Sequence, residues 1–144
     1  MLIIGILASI ALPQYQKAVA KSRFVQLQVL GEALYKSQQI YHLANGSWAT
    51  QLDELTVLPE GTLSDDKRNI MVSDSLYCRL NEDNYREVLC ATDKPGVPAW
   101  LRRLDEDIRA CLVRQGDTIA LKICQQQNGV FYHSSAEYDY YKLP

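Results

Sequence analysis

The sequence has few of the residues and motifs on which most enzymes depend. Its 144 residues include only two histidines, and they contain no C-x-x-C pair, nucleotide-binding glycine loop, G-x-S-x-G elbow or H-E-x-x-H helix. The four cysteines are not spaced as zinc ligands, two of which normally lie close together on a knuckle. We therefore expect no enzymatic activity, no cofactor and no bound metal.

An excess of positive charge is also missing. Fifteen basic residues against seventeen acidic ones leave a net charge of −2, which makes nucleic acid an unlikely general partner. Lys17, Lys21 and Arg23 are a local exception, and they could meet anionic lipid headgroups, although a solvated helix face is the commoner explanation. The acidic run 105–107 lacks the alternating ligand spacing of a calcium loop, so we expect a solvated turn there.

One long hydrophobic run is present, and it lies at the beginning of the chain. Leu2–Leu12 is almost unbroken and ends at Pro13. Eleven residues extend ~16 Å as a helix, about half of a bilayer core, and the run has neither the charged start nor the cleavage site of a secretory signal peptide. It therefore looks like the second half of a spanning segment whose first half is absent; the alternative is a short buried core helix.

A helical pattern continues from Pro13 to about Ala44. The apolar positions of its stripe are Val19, Leu27, Leu30, Leu34 and Tyr41. Pro13 removes one helical hydrogen bond, so we expect a kink at that point. Gly46 can take the left-handed conformation that ends a helix.

The rest of the chain reads mainly as β-structure. Ile70–Leu80 and Tyr85–Thr92 flank a polar turn and predict a hairpin, and Ile108–Arg114 predicts another strand. Asp117 could cap a short helix that reaches Gln127 and stops at Gly129; the alternative is a strand over 118–124. We expect the aromatic residues after position 130 to pack as a last strand or loop. Because helix and strands do not alternate, the pattern predicts an α+β fold in which a long N-terminal helix packs on an antiparallel sheet.

The cysteines form two locally spaced pairs, Cys78/Cys90 and Cys111/Cys124. Three connectivities are possible, and we favour local pairing because each pair flanks one plausible turn. Such bridges would place the folded part in an oxidising compartment. Four free buried thiols in a cytosolic protein are the alternative.

Two stretches resemble type IV pilins. Gly5–Tyr15 reads GILASIALPQY, which is similar to the end of the hydrophobic half of the N-terminal pilin helix, with Ser9 as the one small variation. Tyr41–Trp48, with its Ala-Asn-Gly core, and the following Leu-Asp-Glu-Leu at 52–55 are similar to the segment that leaves this helix in pilins. The resemblance implies a remnant of an anchor and assembly helix at 1–13 and a globular domain at 14–144. That domain would consist of a helix at 14–45, a connecting loop at 46–69, and a sheet with a C-terminal disulfide region at 70–144, in which Cys111–Cys124 closes a surface loop.

The function that this resemblance implies is structural. The chain would be a type IV pilus subunit that polymerises with other copies into an extracellular filament for adhesion, motility or uptake. Before assembly it would be anchored in the inner membrane, with its globular part in the periplasm, and would be handled by pilus assembly machinery. The assembly helix would comprise Leu2, Ile3, Ile4, Gly5, Ile6, Leu7, Ile10, Leu12 and Pro13. Alternatives are a pseudopilin of a type II secretion-like machine and a membrane-anchored, disulfide-bonded binding module.

Overall fold

A computed structural model describes residues 2–81 and 86–144 of the chain, except for the side chains of residues 2–4 and 8. A long helix comes first, and strands and one short helix follow it. The elements are α1 Leu2–Asn45, a 3₁₀ turn Leu52–Glu54, β1 Thr62–Leu63, β2 Asn69–Met71, β3 Leu76–Asn81, β4 Glu87–Thr92, β5 Ala99–Arg103, β6 Arg109–Arg114, α2 Thr118–Gln126, β7 Val130–Ser134 and β8 Tyr138–Lys142.

The strands described form one sheet, in which every pair of neighbours is antiparallel. Their order is β1-β2-β3-β4-β5-β6-β8-β7. Sequential strands are neighbours except at the end, where β8 lies between β6 and β7. The predicted α+β class, with a long N-terminal helix on an antiparallel sheet, is confirmed.

The second half of α1 packs against the middle of the sheet. Phe24, Leu27 and Leu34 are fully buried there, and Trp100 of β5 is buried opposite them. Of the predicted stripe, Leu27 and Leu34 are buried, whereas its other three members are only partly buried. A smaller apolar cluster covers the other face of the sheet; it consists of Leu89, Ala91, Leu101, Ala110 and Leu112.

The loop after α1 is fastened to the helix by buried polar side chains. Gln38 is fully buried; its Nε2 donates to the carbonyl of Ala49 at 2.9 Å, and its Oε1 accepts from the N–H of Ala49 at 2.9 Å. Ser37 Oγ accepts from the N–H of Val57 at 3.3 Å. These bonds satisfy backbone groups of a loop that has little regular structure of its own.

Both expected disulfides are present. Cys78 and Cys90 are paired residues of β3 and β4, and their bridge joins the two strands directly. Cys111 on β6 is bonded to Cys124 on α2. The second bridge therefore fastens the short helix against the sheet, on the side where α1 also lies.

Several local predictions need correction. The strand expected at Ile70–Leu80 is two strands, β2 and β3, because the hydroxyl of Ser73 accepts from the N–H groups of Ser75 and Leu76 and forms a turn. Trp100 lies in β5, a strand that the sequence analysis did not predict. The turn of the predicted hairpin, at 82–85, lies outside the described residues.

The region around the second disulfide also differs in detail. Asp117 caps a helix as expected, so the alternative strand over 118–124 is wrong. That helix ends at Gln126, one residue before the predicted end at Gln127. Asn128 has a left-handed conformation, and the N–H of Gly129 closes the turn on the carbonyl of Cys124 at 2.9 Å. The aromatic end is a β7–β8 hairpin whose edge strand, β7, is exposed along its whole length.

The end of α1 agrees with the sequence pattern. Gly46 has a φ of 75°, and its N–H donates to the carbonyl of His42 at 2.8 Å. At the other end, α1 continues through Pro13 without interruption. The kink expected at Pro13 stays a prediction.

Candidate assembly surface

The first part of α1 extends beyond the globular part of the molecule, and we call residues 2–18 the projecting segment. Every side chain that the structure describes between Gly5 and Ala18 is exposed. Val19 is half-buried, and Ala20 is the first described residue of α1 that is buried. The helix is therefore supported by the sheet and α2 only from about Val19 onwards.

The projecting segment is apolar on several sides of the helix. Ile6, Leu7, Ile10 and Leu12 have exposed fractions between 55% and 61%. At roughly 100° per residue, Ile6 and Ile10 share one face, while Leu7 and Leu12 point away from it in different directions. A surface helix of a globular protein has only one apolar stripe, so this segment needs cover on more than one side.

The free energy available from covering these side chains is large for a small protein. Burying a large aliphatic side chain contributes roughly 1.5–3 kcal/mol. Since the four have more than half of their surface exposed, covering them would contribute about 4–7 kcal/mol. That amount is comparable with the total stability of a typical domain, about 5–15 kcal/mol. Contact with lipid or with other chains is therefore strongly favoured over exposure to water.

The hydroxyl of Ser9 does not interrupt the apolar character of the run Leu2–Leu12. The hydroxyl of Ser9 donates to the carbonyl of Ile6 at 2.7 Å, which satisfies the side chain within the helix. Leu2, Ile3 and Ile4 belong to α1, but their side chains lie outside the description. In the part of the chain that the structure describes, no helix is both long and apolar enough to cross a membrane.

Charged side chains begin immediately after the apolar part. Lys17 and Lys21 lie on α1 beside Lys122 of α2, and the three line one cleft. The sequence identified the first two as a possible contact for lipid headgroups but gave no sign of Lys122. Its position depends on the Cys111–Cys124 bridge and on the packing of α2 against α1.

The acidic run 105–107 and the two histidines, which were considered for metal binding or catalysis, contact neighbouring side chains. In the acidic run, Asp105 accepts from Trp48 Nε1 at 2.8 Å, and Glu106 and Asp107 form ion pairs with neighbouring arginines. No group of residues suited to hold a metal ion occurs among those described. His42 stacks on Trp48, with ring centroids 4.1 Å apart, and His133 lies far along the chain in β7 against an aromatic ring.

Comparisons of the chain with protein-family models, with curated proteins and with solved structures found no match. The likeness to type IV pilins therefore depends on the residues quoted above and on the arrangement of helix, sheet and disulfides, which is compatible with a pilin-like fold.

Proposed function

We propose that the protein is a structural subunit of a type IV pilus or a closely similar filament. The observation that carries the proposal is the division of α1, whose second half is buried on the sheet while the projecting segment exposes apolar side chains on several sides. The resemblance of Gly5–Tyr15 to the pilin helix supports the same function. We expect other copies of the chain to be its principal partners.

Two successive environments would cover the projecting segment. Before assembly it would lie in the inner membrane, where residues 2–12 would reach ~16 Å into the hydrocarbon. The globular part would then face the periplasm, an oxidising compartment in which its two disulfides would persist. During assembly, the same segments of neighbouring subunits would replace the lipid.

The geometry of the segment favours a filament over a closed ring. An apolar helix projecting from one end of the globular part is not a self-complementary patch, so each copy would contact its neighbours through different surfaces. Such head-to-tail contacts give open helical assemblies when the rotation between copies does not close. Because the segment is apolar on several sides, each copy can contact several neighbours in a bundle.

A charge placed on the projecting segment tests the proposal. Ile6→Lys, made in the full chain in its source cell, should abolish surface filaments, because a lysine in an apolar bundle or bilayer costs about 2.5–3.5 kcal/mol per copy. Val57→Lys is the matched control: its side chain is 58% exposed, against 59% for Ile6, but it lies on the connecting loop. Electron microscopy would count the filaments.

The readouts separate assembly from folding. Both variants should retain the two disulfides in non-reducing peptide mapping and should be present at similar total amounts in whole cells. Normal filaments from Ile6→Lys would refute the proposal, and so would an equal loss from both variants. Assemblies that contain the wild-type chain but never emerge from the cell would favour the secretion pseudopilin instead.

A further inference from the structure

Three lysines surround a small cleft where the projecting segment enters the globular part. Lys17 and Lys21 are four residues apart, on one face of α1, and Lys122 is on the adjacent α2. The cleft has a volume of about 250 Å³, and its floor includes the apolar side chains Ile119 and Ile123. All three lysines are solvent-exposed, so a ligand can reach them from outside.

The cleft contains positive charge without a counterion. None of its lining residues is acidic, and no ion pair joins these lysines to a carboxylate among the residues that the structure describes. Asp117, at the start of α2, accepts instead from the N–H groups of Ala120 and Gly96. The cluster therefore offers several unused donors.

The lysines also repel one another. Lys122 lowers the pKa of Lys17, first through the close approach of the two side-chain ammonium groups, both of which are donors, and then through charge repulsion and partial desolvation. Two ammonium groups this close are unfavourable on their own. An anion between them would relieve the repulsion, as phosphate does when several lysines contact it.

The position of the cleft along α1 indicates the source of such an anion. With a rise of 1.5 Å per residue, Lys17 lies ~7 Å beyond Leu12, the last residue of the apolar run, and Lys21 lies ~13 Å beyond it. The headgroup layer of a bilayer is roughly 5–8 Å thick on each side of the hydrocarbon. Lys17 lies at that level, whereas Lys21, one helical turn further out, must extend its side chain back along the helix, the direction in which helical side chains point. Tyr15 is exposed and lies between Leu12 and Lys17, at the level at which aromatic residues are enriched in membrane proteins.

We propose that Lys17, Lys21 and Lys122 bind the phosphate of an anionic phospholipid headgroup while the apolar run Leu2–Leu12 lies in the hydrocarbon. This inference deepens the membrane-held stage of the proposed function and rests on it. The order of apolar run, tyrosine and lysines along one helix favours a lipid over a soluble acidic partner, which would not need an apolar neighbour. The bound lipid would hold the globular part at a fixed height above the membrane.

Vesicle binding by the full chain tests the site. One set of vesicles contains phosphatidylcholine alone, and the other contains phosphatidylcholine mixed with phosphatidylglycerol. Wild-type protein should prefer the anionic vesicles by roughly fivefold per lysine, or roughly a hundredfold for three. The preference should decrease at high salt.

A pair of triple variants with equal charge changes locates the effect. Lys17→Gln/Lys21→Gln/Lys122→Gln should lose most of the preference for anionic vesicles while binding neutral vesicles as before. The control, Lys36→Gln/Lys94→Gln/Lys142→Gln, removes three exposed lysines elsewhere and should retain most of it. Added inorganic phosphate should not displace the wild-type protein if the lipid itself is the ligand.

Three results would overturn the inference: equal wild-type binding to both kinds of vesicle, a preference that survives in the first triple variant, or equal losses in both triples. If Lys17→Gln/Lys21→Gln/Lys122→Gln keeps its preference for anionic vesicles but forms no filaments, the three lysines contact a neighbouring subunit instead of lipid. The filament counts of Ile6→Lys test the proposed function separately. If Ile6→Lys abolishes filaments but the wild-type protein binds both kinds of vesicle equally, only the lipid site fails. If Ile6→Lys still forms filaments and the wild-type protein prefers anionic vesicles, only the pilus assignment fails.

Discussion

Replacing Gly31 by alanine tests the close contact that fixes the direction of α1. A Cβ placed at Gly31 would lie 2.2 Å from both Cε3 and Cζ3 of Trp100, whereas ordinary van der Waals contact begins near 3.4 Å. Trp100 is fully buried, so its ring has no free space to move into. The helix or the ring would have to shift by about 1 Å in an interior that is close-packed.

The net effect is the difference between two opposing contributions. Overpacking a core costs typically 1–3 kcal/mol, and contact with two ring atoms of Trp100 places Gly31→Ala near the upper end. Relative to glycine, alanine stabilises the helix by about 1 kcal/mol because of its higher helix propensity. We therefore expect a net loss of about 2 kcal/mol, which lowers the midpoint of thermal unfolding by roughly 5–8 °C for a chain of this length.

Gly5→Ala is a control in the same helix. A Cβ at Gly5 meets nothing within 4 Å, so this variant gains helix propensity without any overlap and should unfold at or slightly above the wild-type midpoint. Thermal and denaturant unfolding of the full chain in a mild detergent, followed by circular dichroism, would measure both. Equal stability of the two variants would refute the close approach of α1 to β5.

Two further predictions concern polar groups that position the elements around α1. Gln38→Leu should destabilise the protein by about 2–4 kcal/mol in denaturant unfolding, because it leaves the N–H and the carbonyl of Ala49 without partners; Gln26→Leu, at an exposed position of the same helix, should have little effect. Asp117→Ala should cost about 1–2 kcal/mol because α2 loses its N-cap, whereas Asp117→Asn should retain most of the stability. These assignments would be contradicted if Asp117→Asn lowered the free energy of unfolding as much as Asp117→Ala, or if Gln38→Leu left it unchanged.

The fold class was predictable because its signals are periodic and local. The stripe through Leu27 and Leu34 identified the packed face of α1, and each disulfide joins cysteines close in sequence. Ser37 and Gln38 are also buried on that helix, and hydropathy could not have found them. Their burial depends on backbone partners in a loop that has no periodicity.

The differences arise where tertiary packing decides the structure. The break between β2 and β3 depends on the side-chain turn at Ser73, which is short and lies within a stretch of strand-like composition. The exposure of Phe131 and Tyr132 follows from the position of β7 at the edge of the sheet. Composition alone suggested burial for these aromatic residues, since aromatic side chains usually supply core area.

The candidate site was predictable in its apolar part but only partly in its charged part, where the sequence indicated Lys17 and Lys21 but not Lys122. Leu2–Leu12 is a continuous run, and a run is visible in any sequence. The cleft at its end needs Lys122 beside Lys17, two residues that are far apart in the chain. Only the Cys111–Cys124 bridge and the contact of α2 with α1 bring them together.

The continuity of α1 connects the folding of the globular part with assembly. The helix has no break between the projecting segment and the part held by Trp100 and Gln38, so the direction of the projecting segment is set by the packing of the other half. A regular filament requires every subunit to present its globular part at the same angle to the bundled helices. A flexible joint near Ala20 would satisfy the hydrophobic contacts equally well but would not fix that angle. The tight packing of the second half of α1 is therefore a requirement of the proposed assembly as well as of stability.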